Sequence, residues 1–497
     1  MRLLDNYGEL FDTPYKRRVL VALSMAYLLV QVSSFPVALS LPTIADHFDT
    51  SLASASWVVV AELLALGSTV FLAARLGDRY GHTRIFFAGA VIGTVSGGLA
   101  GFSDSLGQLV VLRSIQGLGA ALITGNSNAI LAAAFPQDQR ARAFAVPTIA
   151  ARFGTFLGLI AFALFLQFLS WRLMFYSYIP LGLLAVWAGL PLLRETMGRL
   201  QRSQVPMDWL GGTLFIGAVA TLILSGMHLH EGEESFTSSD ALSYHVPMHL
   251  LFVALLALFF VVQIRMKQPF MDFGLFRFKL FSAALFSNMT FHLSMLAVMT
   301  LMPIVVERGF GLDPIFVLWV LVPQEIFGMF VPIVAGWYYD KYRPKFLRPV
   351  AMALIALGII LMGTLALRVS FWLIPVLMAP AALGVAMFQN VNNAVIMNSI
   401  PLINRGFASG MIETTRQVGH TLGATIAASA LGLVLPATIE LLTPGESQTY
   451  YVRGLQTAAL VVTGIIVAGT LLTFYGRPTP LLRPAGHPVG AASDDGA

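Results

Sequence analysis

The chain has 497 residues, of which 57% are hydrophobic and 11% charged, with a formal charge of +5 and a mean hydropathy of +0.77. A soluble protein carries about 25% charged residues, so most of this chain faces lipid or other protein, and its net positive charge, confined to short loops between apolar runs, does not indicate a nucleic-acid partner. The absence of cysteine excludes disulfides, thiolate catalysis and cysteine metal sites.

In chain order, apolar segments of roughly 18 to 28 residues, each long enough to cross ~30 Å of hydrocarbon, begin near Val19, Ser56, Ile85, Leu109, Ala143, Trp171, Trp209, Pro247, Phe281, Pro314, Leu347, Phe371, Phe407 and Tyr451. They predict an all-α membrane protein with fourteen transmembrane helices. The first run is long and continues into the bundle, unlike a cleaved signal peptide. With a cytoplasmic N-terminus, every inner loop is basic: Lys16 to Arg18, Arg79 to Arg84, Arg140 to Arg142, Arg194 to Arg202, Arg265 to Lys279, Asp340 to Arg348, Arg405, and the tail after Arg477. The outer stretches His228 to His249 and Ala437 to Tyr450 are acidic. Segment parity and charge therefore agree on a multi-pass inner (plasma) membrane protein with both termini cytoplasmic.

A shift of 265 residues aligns Asn128 with Asn393, Pro136 with Pro401, Arg140 with Arg405, Gly154 with Gly419 and Gly158 with Gly423. Such a repeat predicts two pseudo-symmetric six-helix bundles. The expected organisation is a cytoplasmic N-terminus (1–18), an N-terminal bundle (19–193), a linker with an inserted two-helix hairpin (194–279), a C-terminal bundle (280–475) and a disordered cytoplasmic tail (476–497) rich in Pro, Gly and Ala.

Four stretches carry a family resemblance: Leu76-Gly77-Asp78-Arg79-Tyr80-Gly81, echoed by Gly336 to Arg343; Arg113-Ser114-Ile115-Gln116-Gly117-Leu118-Gly119-Ala120-Ala121; Ser170-Trp171-Arg172; and Thr415-Arg416-Gln417-Val418-Gly419. Over nearly its whole length the chain resembles the major facilitator superfamily, in particular its fourteen-helix branch of drug:proton antiporters. The resemblance implies alternating access between two bundles, proton-coupled export of a small organic compound, and protons, a small-molecule substrate and the lipid bilayer as partners, with room for a periplasmic adaptor protein. It also implies a cytoplasmic latch of Asp78, Arg79, Gly81 and Arg84, with Asp340 and Lys341 as its weaker second copy. Three departures stand out. The carboxylate of the branch's first helix is replaced by Ser33; the fifth-helix signature survives only at Gly158 in Gly158-Leu159-Ile160-Ala161-Phe162-Ala163; and the second helix carries Glu62 where the branch has Tyr.

An ionisable side chain at mid-bilayer costs ~2.5 to 3.5 kcal/mol on insertion scales, so each needs a partner or a purpose. Glu62 and Arg113 enter from the outer side at similar depths and are expected to pair, either as the proton-coupling site that replaces the missing first-helix acid or as a static ion pair. Glu325, between Pro323 and Pro332, is the second expected proton carrier. Arg152 and Arg416 lie roughly 16 Å from the inner surface at near-equivalent points of the two halves, where they either bind an anionic substrate or pair with Glu325 and with Glu413, one turn before Arg416. Asn128, Asn390 and Asn393 supply amides for substrate or for interhelical bonds, and His292 is a further substrate candidate or a packed histidine. His228, His230 and the glutamates near them match no defined metal spacing, no nucleotide-phosphate loop occurs, and no nucleophile and base sit together, so no metal, no cofactor and no enzyme activity are expected. The alternatives are a transporter of an organic or lipid-like anion by symport or facilitated diffusion, and a membrane scaffold or assembly factor that no longer transports.

Overall fold

A computed structural model describes residues 7–32, 37, 40–168, 170–196, 207–225, 239–266, 269–313, 316–434 and 444–474. Ser33, the outer stretch through His228 and Glu234, and the tail from 475 onward lie outside the described residues.

The long helices are α1 (Pro14–Val32), α2 (Leu52–Tyr80), α3 (His82–Ala100), α4 (Leu106–Ala134), α5 (Arg140–Phe168), α6 (Tyr178–Thr196), α7 (Trp209–Ser225), α8 (Ser239–Arg265), α9 (Lys279–Ile304), α10 (Val317–Tyr342), α11 (Leu347–Leu365), α12 (Ile374–Asn398), α13 (Arg405–Gly432) and α14 (Pro444–Thr473). Helix is the form a chain this apolar must take in lipid, where each backbone N–H and C=O needs an internal partner. Among the described residues, eleven helices are long and apolar enough to cross a membrane. The sequence-based count of fourteen adds α1, which opens on Lys16, Arg17 and Arg18, the shorter α7, and α13, which carries Glu413 and Arg416 among small polar residues.

Local signals fix the ends. Ser51 and Ser105 accept bonds from the backbone N–H of Ser54 and Gln108, capping α2 and α4. The break between α2 and α3 falls on Gly81, whose φ of 98° is open to glycine and strained for any other residue. A short helix, Arg172–Tyr176, precedes α6, so that α6 begins later than Trp171.

Packing divides the helices into two groups: α1 lies along α5 and α6, and α4 along α2 and α3, while α9 lies along α13, and α11 along α12 and α14. The absent side chains of Gly154 and Gly419 let α5 close on α1 and α13 close on α9, because a Cβ at either would strike the facing backbone at Leu28 or Met289. The groups meet where α5 packs on α10 and α2 on α13. The hairpin α7–α8 leans on α2 and α13 through a Phe cluster in which Phe71 contacts Phe215 (5.3 Å), Phe270 (5.0 Å) and Phe407 (5.6 Å). Buried Asp208 locks its base, accepting from Gly211 N–H (2.8 Å), the Gln263 amide (2.6 Å) and Phe270 N–H (3.2 Å).

One apolar core, from Val19 and Leu23 through Phe71 and Phe281 to Tyr339 and Phe407, runs through both groups near their basic ends. A second is confined to the C-terminal group around Phe291, Met352 and Phe388. The protein is therefore closed on the side that carries the basic loops.

Candidate functional site

Helices α1, α4 and α5 face α9, α12 and α13 across a cavity of ≈ 440 Å³, mouth included. Its wall is unusually polar for a lipid-embedded bundle. Tyr27, Asn128 and Thr148 come from the N-terminal group; His292, Asn393, Glu413 and Arg416 come from the C-terminal group. Of the residues expected to bind substrate, this space gathers Asn128, Asn393, His292, Glu413 and Arg416.

Its centre is an ion pair within one helix. Glu413 Oε2 lies 2.5 Å from Arg416 Nη2, three residues along α13. The other carboxylate oxygen, Oε1, accepts from Asn128 Nδ2 at 3.4 Å, across the gap from α4. Asn393 Oδ1 and Arg416 Nε are buried without a hydrogen-bond partner, so the cavity holds both acceptor and donor capacity for a guest. His292 is not alone: its Nδ1 lies 3.2 Å from Nε2 of His420, the rings edge to face. His420 was not anticipated, although Glu413, Arg416 and His420 follow the i, i+3, i+7 phase of one helix face.

The remaining candidates lie elsewhere. Arg152 on α5 donates Nη1 to Glu325 Oε1 on α10 at 3.1 Å and rests its stem on Gly328, where a Cβ would sit 3.0 Å from its Cδ. This pair belongs to a second cavity, not the one that holds Arg416. Asn390 spends its amide N–H groups on the carbonyls of Ala141 and Pro332, both at 3.2 Å, joining α12 to α5 and α10; it is interhelical glue and does not line the cavity.

Glu62 and Arg113 do pair, fully buried between α2 and α4. Arg113 also donates Nε to Val58 O and Nη1 to Gln116 Oε1, both at 2.9 Å, and packs over Phe175. Each guanidinium nitrogen thus has a partner, an arrangement costly to break by removing one side of it, and neither residue lines either cavity described here.

Two acidic residues lie against helix starts on the side that carries the basic loops. Asp78 lies against Gly406, in the first turn of α13, so closely that a Cβ there would overlap its carboxylate; Arg75 (3.2 Å) and His82 (3.4 Å) hold it from its own side. Asp340, at the end of α10, accepts from the N–H of Ala141 (3.2 Å) and Arg142 (2.9 Å) in the first turn of α5, and from Arg142 Nε (3.4 Å). A carboxylate at a helix N-terminus meets unpaired N–H groups and the positive end of the dipole. Asp340, expected as the weaker second copy, thus has more donors than Asp78. Lys341 and Arg79 lie over aromatic rings of their own helix ends, Trp337 and Tyr80, Gly81 makes the turn, and Arg84 follows in the first turn of α3. The seam is reinforced by Arg140 on Met397 O (3.3 Å) and on Asn398, by Arg343 on Gln137 O (2.7 Å) and by Ser409 on Gly125 O (2.6 Å).

A family profile described as Major Facilitator Superfamily matches residues 22–424. The chain belongs to this superfamily. Among its relatives, the riboflavin transporter RibZ of Clostridioides difficile is 24% identical over 88% of this chain and 92% of its own. The multidrug resistance protein Stp of Mycobacterium tuberculosis is 27% identical over 85% of this chain and 77% of its own. In fold the chain is similar to the proton:xylose symporter XylE, with a TM-score of 0.57 at 15% identity, covering 89% of this chain and 94% of that one. The protein is a multi-pass membrane transporter of the major facilitator superfamily, and small molecules are what such proteins move.

Proposed function

We propose that this transporter exports a small organic compound in exchange for protons, by alternating access of the α1–α6 and α9–α14 groups around the central cavity, as part of the superfamily's fourteen-helix branch in an inner membrane. The observation that carries this reading is the bond from Asn128 to Glu413. It makes Glu413 a titratable group that both touches the substrate space and ties one half to the other. Ionised, Glu413 accepts the Asn128 amide across the gap and forms an ion pair with Arg416, both of which favour its charged form. Protonated, it loosens both and gives up any substrate donor it held. Substrate and proton thus compete for one carboxylate, which is what exchange requires. This reading favours Glu413 over Glu62 as the coupling acid, since Glu62 and Arg113 line neither cavity.

The inner latches at Asp78 and Asp340 support the moving part of the scheme, since both cross between the groups at helix starts that must separate for the inner side to open. Anion transport has less support, because Arg416 is paired with Glu413 and Arg152 with Glu325. A non-transporting scaffold would have no need of a polar cavity with unpaired acceptors. Purified protein in proteoliposomes, given an imposed pH gradient and a panel of cationic, neutral and anionic compounds, tests the proposal. Gradient-dependent accumulation of a cationic or neutral compound is the expected result; movement of anions alone, or of none, would remove the export reading.

A further inference from the structure

The second cavity, ≈ 510 Å³ with its mouth, lies inside the C-terminal group between α9, α10, α11 and α12 and is closed on one side by Arg152. It differs in kind from the central one. Its wall is mostly aliphatic and thioether: Met295, Met299 and Met378 stand among Val298, Leu321 and Ile359. Unbranched methionines adapt their shape to a guest at little cost.

Its polar content is small and specific. The Arg152–Glu325 pair is charge-balanced, and it uses Oε1 of the carboxylate. The second oxygen, Oε2, is buried without a hydrogen-bond partner on a side chain that is 6% exposed, and the adjacent Gln324 Nε2 is buried and unpartnered as well. One acceptor and one donor on consecutive residues thus stand at a cavity both residues line. Leaving such groups unmatched is costly in an apolar interior. A charged guest would unbalance a pair that is already neutral, whereas a neutral one would not.

We propose that this cavity is a binding site for a neutral, apolar small molecule with an amide-like edge, its N–H donated to Glu325 Oε2 and its carbonyl accepting from Gln324 Nε2. The site is separate from the central cavity, and its occupancy does not depend on proton-coupled export.

The test uses equilibrium binding to the full chain in detergent, without a gradient, of 3-phenyl-2-quinolone and its N-methyl derivative. Both are neutral and apolar, and their affinities are compared at free concentrations corrected for uptake into protein-free micelles, because losing an N–H donor changes partitioning. The N–H compound is expected to bind about tenfold or more tightly than the N-methyl compound, since methylation leaves a charged acceptor unpaired. Gln324→Leu and Met299→Trp, which remove the donor and fill the space, should each weaken the N–H compound by about tenfold or more, while Glu413→Gln leaves it unchanged. Equal binding of the two compounds to the unaltered protein overturns the proposal, with no variant needed. So does an N–H preference that survives Met299→Trp, or one lost in Glu413→Gln, which would place the compound in the central cavity.

Discussion

Asn128 on α4 donates its amide to Glu413 on α13 at 3.4 Å, so one carboxylate that can lose its charge links the two halves inside the central cavity. Arg416 holds the other oxygen of that carboxylate at 2.5 Å. On the reading proposed above, this arrangement would make Glu413 answer to protons, substrate and conformation together; Glu325, which also links the two groups, does so at the second cavity.

Glu62 provides the contrast. If its pair with Arg113 is structural, Glu62→Gln leaves a guanidinium buried without its counter-charge and costs about 3–5 kcal/mol. Thermal unfolding followed by size-exclusion fluorescence should show a large drop, partly recovered in Glu62→Gln/Arg113→Gln. The protein that remains folded should still respond to a pH gradient; loss of that response with unchanged stability would restore Glu62 as the coupling acid.

The Arg152–Glu325 pair should behave in the same way. Arg152→Ala is expected to lower thermal stability, again by about 3–5 kcal/mol, and Arg152→Met/Glu325→Met to recover most of it. A selective loss of anionic ligands in Arg152→Ala at full stability would instead make this arginine a substrate contact.

At the inner latch, Asp78→Asn and Gly406→Ala should act alike, the first by removing the charge and the second by occupying its seat. Each should slow turnover and raise labelling from the cytoplasmic side of a cysteine introduced at Thr148 on the cavity wall, in a chain with no cysteine of its own. Asp340→Asn should raise it at least as much, because it deprives two backbone N–H groups and Arg142 of their charged acceptor. Unchanged labelling in all three would mean that these contacts do not hold the inner side shut.

Much of this was legible in the sequence. Apolar runs and basic loops are local signals, and they placed the long helices to within a turn or two of where they begin. Depth along a helix, at 1.5 Å per residue, was enough to pair Glu62 with Arg113, and one-turn spacing within a helix to pair Glu413 with Arg416. Separating Arg152 from the central cavity required the packing of α5 on α10, which no one-helix count contains. His420 was missed because its partner is on α9, and only the facing of two helices brings the rings together. The donors around Asp340 were not legible because two of them are backbone N–H groups, which leave no trace in side-chain identity.

The most direct measurement compares Glu413→Gln with the unaltered protein in proteoliposomes, scoring gradient-driven substrate movement and gradient-free substrate exchange in the same preparation. If Glu413 carries the proton, the variant exchanges substrate across the membrane but no longer accumulates it against a gradient. Gradient-driven accumulation at the normal rate in Glu413→Gln would contradict the mechanism proposed here.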